Sequence, residues 1–164
     1  MKTQFLVLLS IFSLVSCSRN EEPKNESVVI GNKIDVLIQN ANGQDLLNKS
    51  TANTLNTDNI KLYYLVDGNP QEVYIPNSTN PKNYYIFNYE VYNSNAIRIF
   101  LNDQSKDEYP IAYIKWNQSD TDTIKCHFYR DNGIVTIDKV WYNDRFVYPT
   151  VENQNIGSII KLIK

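Results

Sequence analysis

Apolar and polar residues alternate along most of this chain, in short runs that are separated by polar turns. Successive side chains of an extended strand point to opposite faces, so each run can bury one face and expose the other. The pattern therefore predicts many β-strands and almost no helix. The predicted strands cover residues 34–38, 60–66, 72–75, 85–91, 97–101, 109–116, 121–130, 134–142, 145–148 and 156–163.

Turn sequences connect several of these runs. Asp67-Gly68-Asn69-Pro70 and Asn143-Asp144 are two of them, and Asp131-Asn132-Gly133 joins the two longest runs. In the last of these, Asn-Gly supplies the positive φ angles that tight hairpins need. We predict an all-β fold in which residues 28–164 form a single antiparallel β-sandwich, Ig-like or related, with a small β-barrel as the alternative.

The N-terminus has the features of a bacterial export signal. Lys2 is followed by a mainly apolar stretch over residues 5–15, which is too short to span a bilayer and suits a segment that is removed. The sequence Leu14-Val15-Ser16-Cys17 resembles the lipobox of bacterial lipoproteins. The resemblance implies that residues 1–16 are a signal peptide and that Cys17 becomes the lipidated first residue. An ordinary secretory signal with a coincidental cysteine is the alternative.

Residues 18–27 contain no apolar side chain, so residues 17–27 are predicted to be a lipidated cysteine followed by a disordered tether. Glu21 and Glu22 resemble the acidic surface-export signal of Bacteroidetes-type lipoproteins, although a solvated linker would have the same composition. The lipid would hold the protein on a membrane of the cell envelope, and we expect this to be the outer membrane.

Four further stretches resemble a family of small Bacteroidetes-type lipoproteins to which no activity is attached. They are VLIQNANGQDLLN (36–48), NIKLYYLVDG (59–68), DTDTIKC (120–126) and KVWYND (139–144). The resemblance implies a lipid-anchored β-domain of the envelope and implies no catalytic residue. Asp122-Thr123-Ile124 also resembles the Asp-Thr-apolar acceptor of Bacteroidetes-type O-glycosylation, which would place a glycan on Thr123. The alternative interpretation is that Thr123 is an unmodified residue at the start of a strand, where threonine is common.

Few chemistries fit the remaining residues. The chain has 16 basic and 18 acidic residues, which disfavours nucleic acid as a partner. Cys126 and the single histidine, His127, are adjacent in a predicted strand and should point apart, so no dyad and no zinc site is expected. Asp120 and Asp122, or the acidic residues Asp103, Asp107 and Glu108, could bind Ca²⁺ through oxygen ligands, but neither group matches a calcium-binding loop motif, and solvated acidic loops are the alternative. We predict no catalytic residue, no metal and no cofactor.

Aromatic residues are the best candidates for binding, because exposed Trp and Tyr side chains can stack on sugar rings or anchor a protein. The candidates are Trp116, Trp141 and Tyr142, and the wider set adds Tyr63, Tyr84, Tyr92 and Tyr113. The alternative for each is packing in the core. The sequence thus favours a binding or scaffolding domain for an envelope protein or glycan, or a purely structural lipoprotein. A carboxylate-dependent hydrolase of envelope glycan or peptide is a further alternative.

Overall fold

The computed structural model describes residues 28–150 and 159–164. Within them the chain forms eleven strands, no α-helix and two short 3₁₀ turns. The strands are β1 Val29–Gly31, β2 Lys33–Gln39, β3 Lys61–Val66, β4 Asn69–Glu72, β5 Tyr84–Tyr89, β6 Ser94–Phe100, β7 Ile111–Lys115, β8 Thr121–Asp131, β9 Ile134–Tyr142, β10 Arg145–Tyr148 and β11 Ile159–Ile163. The predicted signal peptide, Cys17 and the tether lie outside the described residues, and so does the start of the predicted strand 156–163.

The strands form two sheets that face each other. The larger sheet has the order β1-β9-β8-β7-β3-β4, with β10 also paired to β9, and the smaller sheet has the order β11-β2-β6-β5. Apolar residues of both sheets share one buried cluster, which includes Ile34 and Ile97 from the smaller sheet and Ile114 and Ile124 from the larger one. The all-β sandwich is confirmed, and the barrel alternative is wrong because the described strands form two separate sheets.

The prediction of purely antiparallel pairing is wrong for two strand pairs. β1 runs parallel to β9, and β11 runs parallel to β2. Both pairs join strands that are far apart in sequence, and a parallel pair needs a long connection instead of a tight turn. Such pairs therefore leave no local turn signal.

The turn after β3 is shorter than its sequence indicated. Asp67 and Gly68 both have positive φ angles, of 49° and 77°, so these two residues alone form the turn. Asn69 then pairs directly with Val66. The predicted strand 72–75 consequently starts earlier, at Asn69, and ends at Glu72.

The hairpin of β8 and β9 is confirmed and forms the centre of the larger sheet. Asn132 and Gly133 have φ angles of 44° and 79°, as a two-residue turn requires. The register shifts between His127 and Phe128, where β9 accommodates one extra residue, Asp138. None of the described segments is a helix long and apolar enough to cross a membrane.

Candidate functional site

The carboxylate of Asp122 lies in the interior and accepts four hydrogen bonds or ionic contacts. Its Oδ2 atom accepts from Trp116 Nε1 at 2.6 Å and from Tyr142 OH at 2.7 Å. The same oxygen is 2.7 Å from the Nζ atom of Lys164. Its Oδ1 atom accepts from the side-chain amide of Asn143 at 2.7 Å. We call these five residues the Asp122 network.

Two of the three aromatic residues predicted to bind a ligand belong to this network. Trp116 is 0 % exposed and Tyr142 is 4 % exposed, so the alternative of core packing holds for both, and neither ring is available to stack on a ligand. Both rings are packed in the core. The indole N–H of Trp116 and the hydroxyl of Tyr142 each donate a hydrogen bond to Asp122, as buried Trp and Tyr side chains require. Tyr84 of the wider set is also buried.

Lys164 connects the two acidic residues that the sequence had suggested as Ca²⁺ ligands. Its ammonium lies 2.8 Å from both carboxylate oxygens of Asp120, in addition to its contact with Asp122. The backbone N–H of Lys164 donates to Gln39 O, which holds the end of β11 against β2. An amine of the chain therefore occupies the position between the two carboxylates. Within residues 28–150 and 159–164, no group of three or more His, Cys, Asp or Glu residues could hold a metal ion.

The electrostatics of the network favour the charged carboxylate. Burial raises the pKa of Asp122, but Lys164, Asn143, Tyr142 and Trp116 together outweigh burial and bring the pKa below its ordinary value. Burial also raises the pKa of Tyr142, and the neighbouring carboxylate raises it further. Asp122 is thus a buried anion whose charge is balanced by its donors, and Tyr142 stays protonated and donates a hydrogen bond to it.

Cys126 and His127 point to opposite sides of β8, as the sequence predicted. Cys126 is buried in the core, and burial raises the pKa of its thiol to about 12. His127 lies on the outer face, where its Nδ1 atom contacts the carboxylate of Asp138 at 2.5 Å. The β-bulge at Asp138 brings this carboxylate to the ring. The two residues therefore cannot act as a dyad.

The outer face of the larger sheet carries a line of aromatic rings centred on Trp141. Its ring is 5.7 Å from that of Tyr109 and 5.4 Å from that of Phe146, both edge to face, and Tyr109 continues to His127 at 5.4 Å. Tyr109 and Phe146 are 39 % and 45 % exposed. We call Phe146, Trp141, Tyr109 and His127 the Trp141 row.

Strand pairing fixes the position of the Trp141 row. Trp141 of β9 is paired with Lys125 of β8 on one side and with Phe146 of β10 on the other. Directly paired residues have side chains on the same face. The ammonium of Lys125 accordingly lies 4.9 Å from the centre of the Trp141 ring. Trp141 is the one residue of the three named candidates that lies on an outer face.

A second set of rings covers the outer face of the smaller sheet, where the alternation in residues 85–91 indicated an aromatic face. Tyr85, Phe87 and Tyr89 follow one another along β5 with ring separations of 5.8 Å. The guanidinium of Arg98 lies 4.9 Å from the centre of Phe87 and forms a two-point ion pair with Asp35. Arg98 thus covers part of Tyr85 and Phe87, and all three rings are only partly exposed, whereas Tyr109 and Phe146 of the Trp141 row are exposed.

Thr123, the predicted glycosylation site, lies on the outer face of β8. Its side chain is half-buried, and it is paired with Tyr113 of β7. The backbone N–H of Thr123 donates to Asn143 Oδ1, and Asn143 N donates to Thr123 O. The residue thus sits in a fixed strand next to the Asp122 network. Its modification stays a prediction.

The fold and these surfaces define an all-β sandwich with a compensated charge network inside and an aromatic row outside. No protein-family model, no curated protein and no solved structure matches the chain. The likeness to Bacteroidetes-type lipoproteins therefore stays a prediction from the sequence.

We predict that Asp122→Asn lowers the free energy of unfolding by about 2–4 kcal/mol, because it removes the anion that four donors share. Asp120→Asn is the matched control: its carboxylate contacts the same ammonium but is more exposed, and its loss should cost less than about 1 kcal/mol. Urea unfolding at pH 7 measures both. Equal losses in the two variants would contradict the central role of Asp122.

The network also predicts how stability depends on acid. The pKa of Asp122 is lower in the folded protein than its ordinary value of 3.8, so the ionised carboxylate makes its full contribution to the free energy of unfolding at neutral pH. This stabilising contribution decreases once the pH drops below 3.8 and is lost as the pH falls through the folded-state pKa. Melting temperatures between pH 7 and pH 3 should therefore fall less steeply for Asp122→Asn than for the wild type. Parallel curves would argue against this linkage.

Proposed function

We propose that this protein is a non-enzymatic, lipid-anchored domain of the bacterial cell envelope that binds a glycan through the Trp141 row. The observation that carries the proposal is the line of rings on a rigid outer face, with Trp141 between the two more exposed rings of Tyr109 and Phe146. Aromatic rings offer large contact area at a small cost in side-chain entropy, and sugars present C–H faces that pack on such rings.

Polar groups next to the rings supply the hydrogen bonds that a sugar needs. Lys125 can donate from its ammonium, and the Asp138 carboxylate beside His127 can accept from hydroxyl groups. Binding sites for small polar ligands generally combine apolar surface with a few polar groups that fix orientation. A protein partner would favour a wider apolar area with less charge at its centre. This difference favours a glycan over an envelope protein.

The arrangement of carboxylates supports binding over hydrolysis. A glycosidase needs two carboxyl groups about 5–9.5 Å apart, facing a bound sugar from a cleft. Asp120 and Asp122 instead share the ammonium of Lys164, and Asp122 is buried beneath three further donors. Asp138, the carboxylate nearest to the Trp141 row, is paired with His127.

The anchor rests on the N-terminal sequence, which lies outside the described residues. The lipobox-like residues 14–17 and the polar stretch 18–27 support a lipid on Cys17 followed by a tether to the β-domain. Two or three acyl chains would hold the protein stably, since one chain alone gives only marginal binding. The membrane and the glycan are thus the two proposed partners.

Trp141→Ala should weaken glycan binding about tenfold or more, equal to about 1.4 kcal/mol, because it removes the central ring of the row. Trp141→Phe should retain part of the affinity. Tyr74→Ala, which changes an exposed ring beyond β4 at the other edge of the sheet, is the control and should bind as the wild type does. An array of envelope glycans identifies the ligand, and calorimetry measures the affinity. Unchanged binding by a folded Trp141→Ala protein would refute the proposed site.

The anchor has a separate test. In cells fed with labelled palmitate, Cys17→Ser should abolish incorporation of the label and should release the protein from the membrane fraction. Cys126→Ala is the matched control, since this buried thiol belongs to the core, and it should remain labelled and membrane-bound. A Cys17→Ser protein that is still labelled would exclude the lipobox.

A further inference from the structure

Exposed apolar side chains gather where the described chain begins. They belong to β1 with the preceding residue and to the neighbouring end of the β8–β9 hairpin, and each is between 42 % and 61 % exposed. We call this group the entry patch; it consists of Val28, Val29, Tyr129 and Ile134, whereas Ile30 is paired with Val135 and faces the other side of the sheet. Single exposed apolar residues are ordinary, but a contiguous group at a protein surface marks a contact with a partner or a membrane.

Strand register brings these residues together. Val29 is paired with Ile134, and the backbone N–H of Val29 donates to Gly133 O at 2.9 Å. Thr136 lies between Gly31 of β1 and Tyr129 of β8, which places Tyr129 one strand further along the same end of the sheet. The entry patch therefore occupies the corner of the larger sheet that contains the turn of the hairpin.

We propose that the entry patch rests on the lipid surface that holds Cys17, an inference that depends on the proposed lipid anchor. The undescribed N-terminal residues end at the patch itself, because the described chain starts at Val28. Eleven residue steps separate Val28 from Cys17, and even a fully extended tether spans at most about 36–40 Å. No other part of the described fold is closer to Cys17 along the chain, so the tether keeps the patch within reach of the membrane that holds the lipid.

The chemistry of the patch suits the boundary between lipid and water. Aliphatic side chains insert shallowly below the headgroups, and tyrosine is enriched at this depth because its ring is apolar and its hydroxyl is polar. The Tyr129 hydroxyl donates to Asp131 Oδ2 at 3.2 Å, which keeps the polar end of the ring beside the turn.

This contact would also orient the glycan-binding surface. Ile134 and Trp141 lie seven residues apart on β9, a distance of roughly 23 Å along a strand at about 3.3 Å per residue. Ile134 and Trp141 also share the outer face of the sheet, so the Trp141 row stays accessible to a glycan only if the contact is confined to the hairpin end and the strands tilt away from the lipid.

Fluorophores on single introduced cysteines test the contact in the lipidated full-length chain, reconstituted in phosphatidylethanolamine–phosphatidylglycerol vesicles that contain nitroxide-labelled lipid. Ile134→Cys reports on the patch, and Tyr74→Cys reports on the opposite edge of the larger sheet. Cys126 stays unlabelled because its thiol is buried. We expect the lipid nitroxide to quench the label at position 134 at least threefold more strongly than the label at position 74.

Co-sedimentation with the vesicles separates the two levels of the proposal. Equal quenching at both positions in a protein that still sediments would overturn the patch contact and leave the anchor intact. Failure to sediment would overturn the anchor and the contact with it. Concentration-dependent dimers in which the position 134 label is shielded without lipid would assign the patch to a second copy of the chain and would overturn the membrane contact.

A charge variant provides an independent measurement. Val29→Glu places a carboxylate in the patch at an exposed edge position, so the fold should tolerate it. Quenching of the label at position 134 should then fall at least twofold, while co-sedimentation through the lipid persists. Tyr74→Glu is the matched control and should leave the quenching unchanged. Unchanged quenching in Val29→Glu would also overturn the contact.

Discussion

The buried carboxylate of Asp122 is the interaction on which the arrangement of the two sheets depends. An ionised carboxylate without partners in the interior would cost several kcal/mol, so its four donors are a condition of the fold and not an addition to it. Three donors come from the larger sheet or its turns, and the fourth, Lys164, follows the last strand of the smaller sheet. Satisfying one anion therefore fixes where β11 ends and how the two sheets meet at this side.

Local patterns in the sequence predict the strands and the central hairpin, but they do not predict which distant segments pair with each other. The alternation in residues 121–130 and 134–142, with Asn132-Gly133 between them, contains everything that β8 and β9 need. β1 has only three residues, which is too short to show a period of two, and its parallel partner begins more than a hundred residues later. The apolar side chains of β1 are largely exposed, so burial does not dictate that pairing either, and a single sequence does not display it.

The candidate aromatics could have been sorted by parity along their strands. Trp116 continues the inward series of Ala112 and Ile114, and Tyr142 continues that of Val140, whereas Trp141 has the opposite parity and lies outside. The contact of Lys164 with Asp122 could not have been found in this way. It joins residues 42 positions apart from different sheets, and neither residue type in isolation indicates burial.

The position of Tyr142 next to Trp141 links stability to binding, because Tyr142 points into the core and Trp141 points out from the same strand. Tyr142 is fixed by its hydroxyl to Asp122, which holds the backbone at the adjacent Trp141 in place, while the Trp141 ring packs between Tyr109 and Phe146. A ring held on both sides loses little freedom when a ligand stacks on it, which lowers the entropic cost of association. Under the proposed function, the inner network would contribute to glycan affinity at the Trp141 row without touching the glycan, since it keeps the backbone beneath Trp141 in place.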